Sequence, residues 1–232
     1  MITQFDWSPL IYSAFDSNRD LFEPPLAFRL HTNSSDMGEP PAVTPLFRRL
    51  PGLLVVHIRH GDFINHCDKL ARFSAGFNGF NQFEGLPDKF DIPPGGGWGK
   101  NTPENFAIYR RHCFPSIPQI VSKVSEVKRL PKVSGLDRLY IMTNAKREWI
   151  NELTHALQQT TGPEKWNTIW STRDLALTWE QKFVSHALDM LVAQMAQSFI
   201  GNGVSTVLSI ARSANDFYFA LMVATGYNSG PA

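Results

Sequence analysis

The feature that most constrains this chain is an alternation of helix and strand that becomes regular from Ser116 onward. Ser116 stands where a helix N-cap belongs, Pro118 falls in the first turn, and Ile117, Ile120, Val121, Val124 and Val127 line one apolar face. Residues 138–143, Arg-Leu-Tyr-Ile-Met-Thr, read as a strand. Asn144 then reads as the cap of a helix running to about 159, with Trp149, Ile150, Leu153 and Leu157 on its buried stripe. Residues 166–170 read as a short strand, and 179–196 as a helix with Phe183, Ala187, Met190, Leu191 and Gln194 inward. Residues 198–200 are the last clear strand, and a helix follows from about 205 into 211. Parallel strands need long crossovers, so repeated βα units imply a mostly parallel sheet with helices on both faces. The expected fold class is α/β and Rossmann-like.

The front of the chain is different. Residues 1–52 are rich in Pro, Ser and Asn, as in Asn33-Ser34-Ser35-Asp36-Met37-Gly38-Glu39-Pro40-Pro41, and show little helical periodicity. They read as an irregular lead-in or the remnant of a preceding domain, leaving 53–232 as the folded domain. Residues 53–59 form a strong buried strand, β-branched and bounded by Pro51-Gly52 and Gly61. Residues 73–103 are a long irregular segment, read either as a substrate-side excursion or as a surface insertion.

With 232 residues, 43% of them hydrophobic, the chain can bury a sizeable core. Its 22 Lys and Arg balance 21 Asp and Glu, which excludes a general pull toward nucleic acid or anionic membrane. Any anion site must be local. No long apolar run suggests a membrane segment, and the first residues lack the basic and apolar regions of a signal peptide. Taken literally, the chain is expected in the cytoplasm. Cys67 and Cys113 have no spacing suited to zinc, so no metal is expected; they suit either one disulfide or two inert thiols.

Two segments carry chemistry. In Val55-Val56-His57-Ile58-Arg59-His60-Gly61-Asp62-Phe63, strand alternation brings Arg59 out at the sheet edge beside a glycine, where a guanidinium can grip two phosphate oxygens. Asp62 is placed to accept backbone N–H bonds and orient Arg59, or else the two are only a structural ion pair. In Phe199-Ile200-Gly201-Asn202-Gly203-Val204-Ser205-Thr206, two glycines allow close backbone approach and two hydroxyls stand before a helix start. That suits a diphosphate, though a plain strand-to-helix turn has the same pattern. Asp189 lies in an otherwise apolar helix, as a solvated or helix-bonded residue or as a hydrogen-bond partner for a base or ribose. Arg59-His60-Gly61 also matches the opening of the histidine phosphatase superfamily, with His60 as nucleophile and a second histidine at His186; alternation, however, points His60 away from Arg59.

With these residues in view, the chain resembles the GDP-fucose protein O-fucosyltransferase family and its α-1,6-fucosyltransferase relatives. His57-Ile58-Arg59-His60-Gly61-Asp62-Phe63 resembles the family's His-x-Arg-x-Gly-Asp motif, and Tyr140-Ile141-Met142-Thr143-Asn144 its next strand. Asp189 through Thr206 is similar to an aspartate-bearing helix leading into Phe-Ile-Gly-Asn-x-Val-Ser-Ser-Phe, with Val207 where the family has the aromatic. The likeness spans roughly residues 50 to 213. It implies the C-terminal, donor-binding half of a GT-B glycosyltransferase that inverts configuration without a metal or other cofactor. The donor is GDP-fucose, and the acceptor a hydroxyl of a protein or glycan. Arg59 then resembles the arginine that binds the donor β-phosphate and assists departure of GDP. His57, Gly61, Asp62, Asn144, Asp189, Asn202, Gly203, Ser205 and Thr206 fall at donor-binding positions. The likeness also implies a disulfide between Cys67 and Cys113 and residence in the ER or Golgi lumen. The alternative is a module that binds a nucleotide sugar or glycan without catalysis.

Overall fold

The computed structural model describes residues 6–23, 49–77, 90–159, 165–202 and 218–221. Two helical segments, α1 (Pro9–Ser17) and α2 (Arg19–Phe22), precede the first strand, β1 (Leu50–Ile58). Helices α3 (Ile64–Arg72), α4 (Pro103–Cys113) and α5 (Ile117–Lys128) follow before β2 (Arg138–Thr143). Then come α6 (Arg147–Gln158), β3 (Thr168–Ser171), α7 (Trp179–Lys182), α8 (Ser185–Met195), β4 (Ala196–Gly201) and β5 (Tyr218–Leu221).

The strands form one sheet in the order β3-β2-β1-β4-β5, and every neighbouring pair is parallel. This is the expected Rossmann-like α/β architecture. The order reverses between β1 and β4, and in such sheets the crevice outside the carboxyl ends at that reversal is where ligands bind. Residues 57–58 of β1 and Gly201 of β4 meet at this point, with His57 in register with Gly201.

Alternation along β1 divides the core. Leu53 and Val55 face one layer with Tyr140, Met142 and Phe199, packed against Phe15, Phe22, Leu188, Leu191 and Val192 of α1, α2 and α8. Leu54, Val56 and Ile58 face the other with Leu139, Ile141 and Ile200, packed against Ile120, Val124, Leu153 and Leu157 of α5 and α6. Ser116 caps α5 with Gln119 closing a capping box, as its sequence predicts.

Several expectations are corrected. Residues 9–17 and 19–22 are helical, because Ile11, Ala14 and Phe15 share one face and bury it, with Phe22, against the layer of α8. Asn18 fixes them there, donating to the Ala176 carbonyl at 3.0 Å and accepting from the Ala176 N–H at 2.7 Å. The helix expected over 179–196 is broken at Val184, whose backbone leaves the helical region. Phe183 is consequently exposed, not inward, and meets Trp179 edge to face with ring centroids 4.7 Å apart. The helix after β2 starts at Arg147, so Asn144 does not cap it. Strand β5 and the helices α3 and α4 lie beyond the elements read from sequence. Part of the segment 73–103 is described: residues 73–77 and 90–102 form turns before Thr102 caps α4 by accepting from the Asn105 N–H at 3.2 Å.

Cys67 of α3 and Cys113 of α4 form a disulfide, fully buried in a small cluster with Ala71, Phe77, Phe90 and Tyr109. Arg110 reinforces the same helix pair with a bidentate grip on Asp68 at 2.9 and 3.0 Å.

Candidate ligand site at the carboxyl edge of the sheet

Strand β1 ends at Ile58, and the chain then turns through Arg59, His60 and Gly61 into α3. The turn is held from β2. The His60 N–H donates to Asn144 Oδ1 at 2.8 Å, and Thr143 Oγ1 donates to the Ile58 carbonyl at 2.8 Å. Gly61 sits at φ +60°, and a Cβ there would lie 3.0 Å from Asn144 Nδ2, so the close approach needs glycine. Asn144 therefore positions the turn. Asp62 does not: among the described residues its carboxylate meets only Arg59, at 3.7 Å, and takes no backbone N–H.

Strand β4 ends against the same turn. The Asn202 N–H donates to the His57 carbonyl at 3.3 Å. Its side-chain Nδ2 donates to the Arg59 carbonyl at 3.1 Å and to the Cys113 carbonyl at 2.9 Å. One fully buried amide thus ties the ends of β1, β4 and α4 together.

Arg59 occupies the edge so formed. Its side chain is 39% exposed, and the guanidinium carbon lies 5.3 Å from the centre of the Phe63 ring. The side chain of Asp62 is 81% exposed and its oxygen stands 3.7 Å away, so the pair is loose and leaves the cation available. Arg59 Nε is buried and has no acceptor among the described residues. His57, two residues earlier on the same face of the strand, is half-buried. Burial, helped by the charges of Arg59 and His186, lowers its pKa to about 4, so its imidazole is neutral near pH 7.

His60 lies apart from this group. Its ring packs between Phe114, with centroids 4.3 Å apart, and Trp149, at 4.2 Å, and burial lowers its pKa. His186 bears electrostatically on His57. The two histidines of the phosphatase pattern are thus engaged with different neighbours. Beside His60 an open groove of about 930 Å³ runs between α4, α5 and α6, walled by Phe106, Arg111, Phe114, Ile117 and Trp149. No sequence motif announces it, because its walls come from three helices.

Asp189 is buried in the core, not at the edge. Tyr140 Oη donates to its Oδ1 at 2.7 Å and Thr172 Oγ1 to its Oδ2 at 3.2 Å. Burial raises its pKa to about 7 against the pull of these two hydrogen bonds. It is neither solvated nor bonded within its own helix. Gly203, Ser205 and Thr206, and the helix expected after them, lie outside the described residues.

The edge brings together Arg59, His57, Gly61, Asn144 and Asn202. It offers a cation and a buried N–H toward an anion, next to a neutral imidazole and an amide oxygen. Among the described residues no group of three His, Cys, Asp or Glu side chains is placed to share a metal ion, and no helix is long and apolar enough to cross a membrane.

No family model matches the sequence, and no curated protein matches it. Solved structures do resemble the fold. A crystal structure of POFUT1 in its apo form superposes with a TM-score of 0.43 at 18% identity, covering 75% of this chain and 42% of that one. POFUT1 in complex with GDP-fucose gives 0.40 at 17% identity, covering 75% and 42%. POFUT1 in complex with GDP gives 0.42 at 17%, covering 74% and 44%. This chain spans less than half the length of those proteins.

Proposed function

We propose that this chain binds GDP-fucose at the carboxyl edge between β1 and β4 and transfers fucose to a hydroxyl of a protein or glycan. The observation that carries the reading is Arg59: a guanidinium at the reversal of the strand order, loosely paired, with a buried Nε that lacks an acceptor among the described residues. A diphosphate supplies oxygens for that group, and the likeness of the two strand-end motifs supplies the identity of the nucleotide sugar. In this reaction the bond from the anomeric carbon to the β-phosphate oxygen breaks as the acceptor oxygen attacks the opposite face, and the acceptor hydroxyl gives its proton to water. Negative charge then grows on the diphosphate, and Arg59 is placed to stabilise it. His57, held neutral, stands beside the phosphates as a hydrogen-bonding group. Ser205 and Thr206 complete the phosphate contacts in this reading, and Asp189 remains a candidate only if the ligand reaches into the core. No metal is required.

The disulfide between two buried cysteines supports residence in an oxidising compartment, in keeping with the ER or Golgi lumen. The phosphatase reading has no such support, since His60 is packed between two aromatic rings.

A calorimetric titration with GDP tests the site. The native chain is expected to bind, and Arg59→Ala to weaken binding by about 1.5–3 kcal/mol, the value of a charge-assisted contact. No binding by the native chain, or equal binding by the variant, sinks the assignment. Transfer is separable from binding. Incorporation of radiolabelled fucose into acceptor distinguishes the enzyme from a module that holds the donor without using it, a second reading that the single described sheet also satisfies.

A further inference from the structure

Arg59 is not the only unspent group at this edge. The Asn202 side chain is fully buried, and its orientation is decided by its partners. Its Nδ2 faces the carbonyls of Arg59 and Cys113, both acceptors only, so the nitrogen and not the oxygen must occupy that side. Oδ1 is thereby turned the other way. It is buried there with no donor among the described residues. Arg59 Nε is in the converse state, a buried donor without an acceptor among the same residues. Both residues meet at the same turn, because the amide that carries Oδ1 also bonds the Arg59 backbone.

Buried polar atoms are rarely left unpaired in a native fold, and each such atom calls for a partner. A ligand that answers both must present an acceptor oxygen and a hydroxyl donor. The phosphate end of a bare nucleotide presents mainly acceptors. A glycosyl phosphate presents both, a phosphoryl oxygen and the hydroxyl on the sugar carbon next to the anomeric carbon.

We propose that Asn202 Oδ1 accepts a hydrogen bond from this vicinal hydroxyl of the donor sugar while Arg59 Nε donates to the adjoining phosphate. Asn202 is then a specificity-determining residue that selects a sugar nucleotide with a free vicinal hydroxyl. The inference rests on the donor-site reading above.

The test compares GDP-fucose, its 2-deoxy-2-fluoro analogue and GDP by calorimetry on the intact chain. Fluorine fills the place of the hydroxyl but donates no hydrogen bond. The native chain is expected to bind GDP-fucose about ten-fold more tightly than the fluoro analogue, as loss of a bond to a buried acceptor implies. In Asn202→Ala the two sugar nucleotides are expected to bind within about two-fold of each other. Equal affinity for both in the native chain, with GDP still bound, overturns the hydroxyl contact and leaves the donor site standing. A ten-fold ratio that survives in Asn202→Ala overturns the role of Asn202. If none of the three ligands binds the native chain, the donor-site reading itself falls and this inference with it. Should Asn202→Ala fail to fold, the 3-deoxy and 4-deoxy analogues decide on the native chain: a loss confined to the 2-position upholds the contact, and equal losses at all positions overturn it.

Discussion

The two ends of the sheet each carry an arginine, and the fold treats them in opposite ways. Arg138 opens β2 at the amino edge and is buried. Its Nη1 donates to the Phe22 carbonyl at 2.7 Å, its Nη2 to the Pro51 carbonyl, and its Nε to Asp137 at 3.1 Å. Gln197 closes the same edge, accepting from the Gly52 N–H at 2.6 Å and donating to the Ser134 carbonyl at 3.0 Å. Arg59 follows β1 at the carboxyl edge; among the described residues its Nε is unpaired and its charge has a single, solvent-exposed carboxylate beside it. The same residue type is a staple at one end and an open hand at the other. A side chain whose nitrogens are all spent stabilises the fold; one that the fold leaves unspent at a strand-order reversal is available to a ligand.

The comparison breaks most readily at the amino edge. Arg138→Ala removes the donors for two backbone carbonyls of the α2 and β1 ends, and is expected to cost about 3 kcal/mol of stability. Urea unfolding reads that loss, while GDP affinity of the folded protein stays within about two-fold of native. A large fall in affinity with little loss of stability reverses the assignment of the two ends.

Asp189 lies between the ends and sharpens the contrast, because its role can be staple or ligand contact. Its pKa is about 7 in the fold against an ordinary value of 3.8. Between these values the native state holds a proton that the unfolded chain has released. The contribution is therefore complete below pH 4 and is lost as pH rises toward 7. Asp189→Asn keeps an acceptor for Tyr140 without the titration, and is expected to be more stable than native by about 2 kcal/mol at pH 8, with the gain vanishing near pH 4. Thermal melts across that range check it. Unchanged GDP affinity places Asp189 with Arg138 as a structural group; weakened affinity places it with Arg59.

How far such roles were visible in the sequence follows from what sets each pattern. Strand β1 is buried on both faces, so residues 53–58 announce themselves as a nearly continuous apolar run. The Ser116 cap and the apolar face of α5 were equally legible, and the parallel sheet followed from them. Short elements were not. The turns of α1 owe their stability to docking Ile11 and Phe15 against α8, and α3 and α4 to the disulfide cluster. Phe183 leaves the buried face that periodicity assigns it because the backbone breaks at Val184, and an apolar spacing carries no signal of such a break. At the site, Arg59 and Gly61 were readable as a cation beside a turn. The bonds made by Asn144 and Asn202 were not, since a side-chain amide reaching a backbone group 84 or 143 residues away leaves no spacing to detect.

The carboxyl edge supplies the smaller stability effects, and they complete the contrast. Gly61→Ala forces a Cβ toward Asn144 from a backbone at φ +60°, and is expected to cost about 1–2 kcal/mol. The same change should weaken GDP binding, because it displaces the turn that carries Arg59; a variant that loses stability but binds normally separates the turn from the site. Arg59→Ala is expected to move stability by no more than about 0.5 kcal/mol, since the residue makes one loose ion pair and one ring contact in solvent. Set beside Arg138→Ala, the pair forms a crossed experiment: one substitution costs stability and spares binding, the other spares stability and costs binding. A stability loss at Arg59 equal to that at Arg138 means that its guanidinium is also a staple, and the unspent charge from which the donor site is inferred no longer exists.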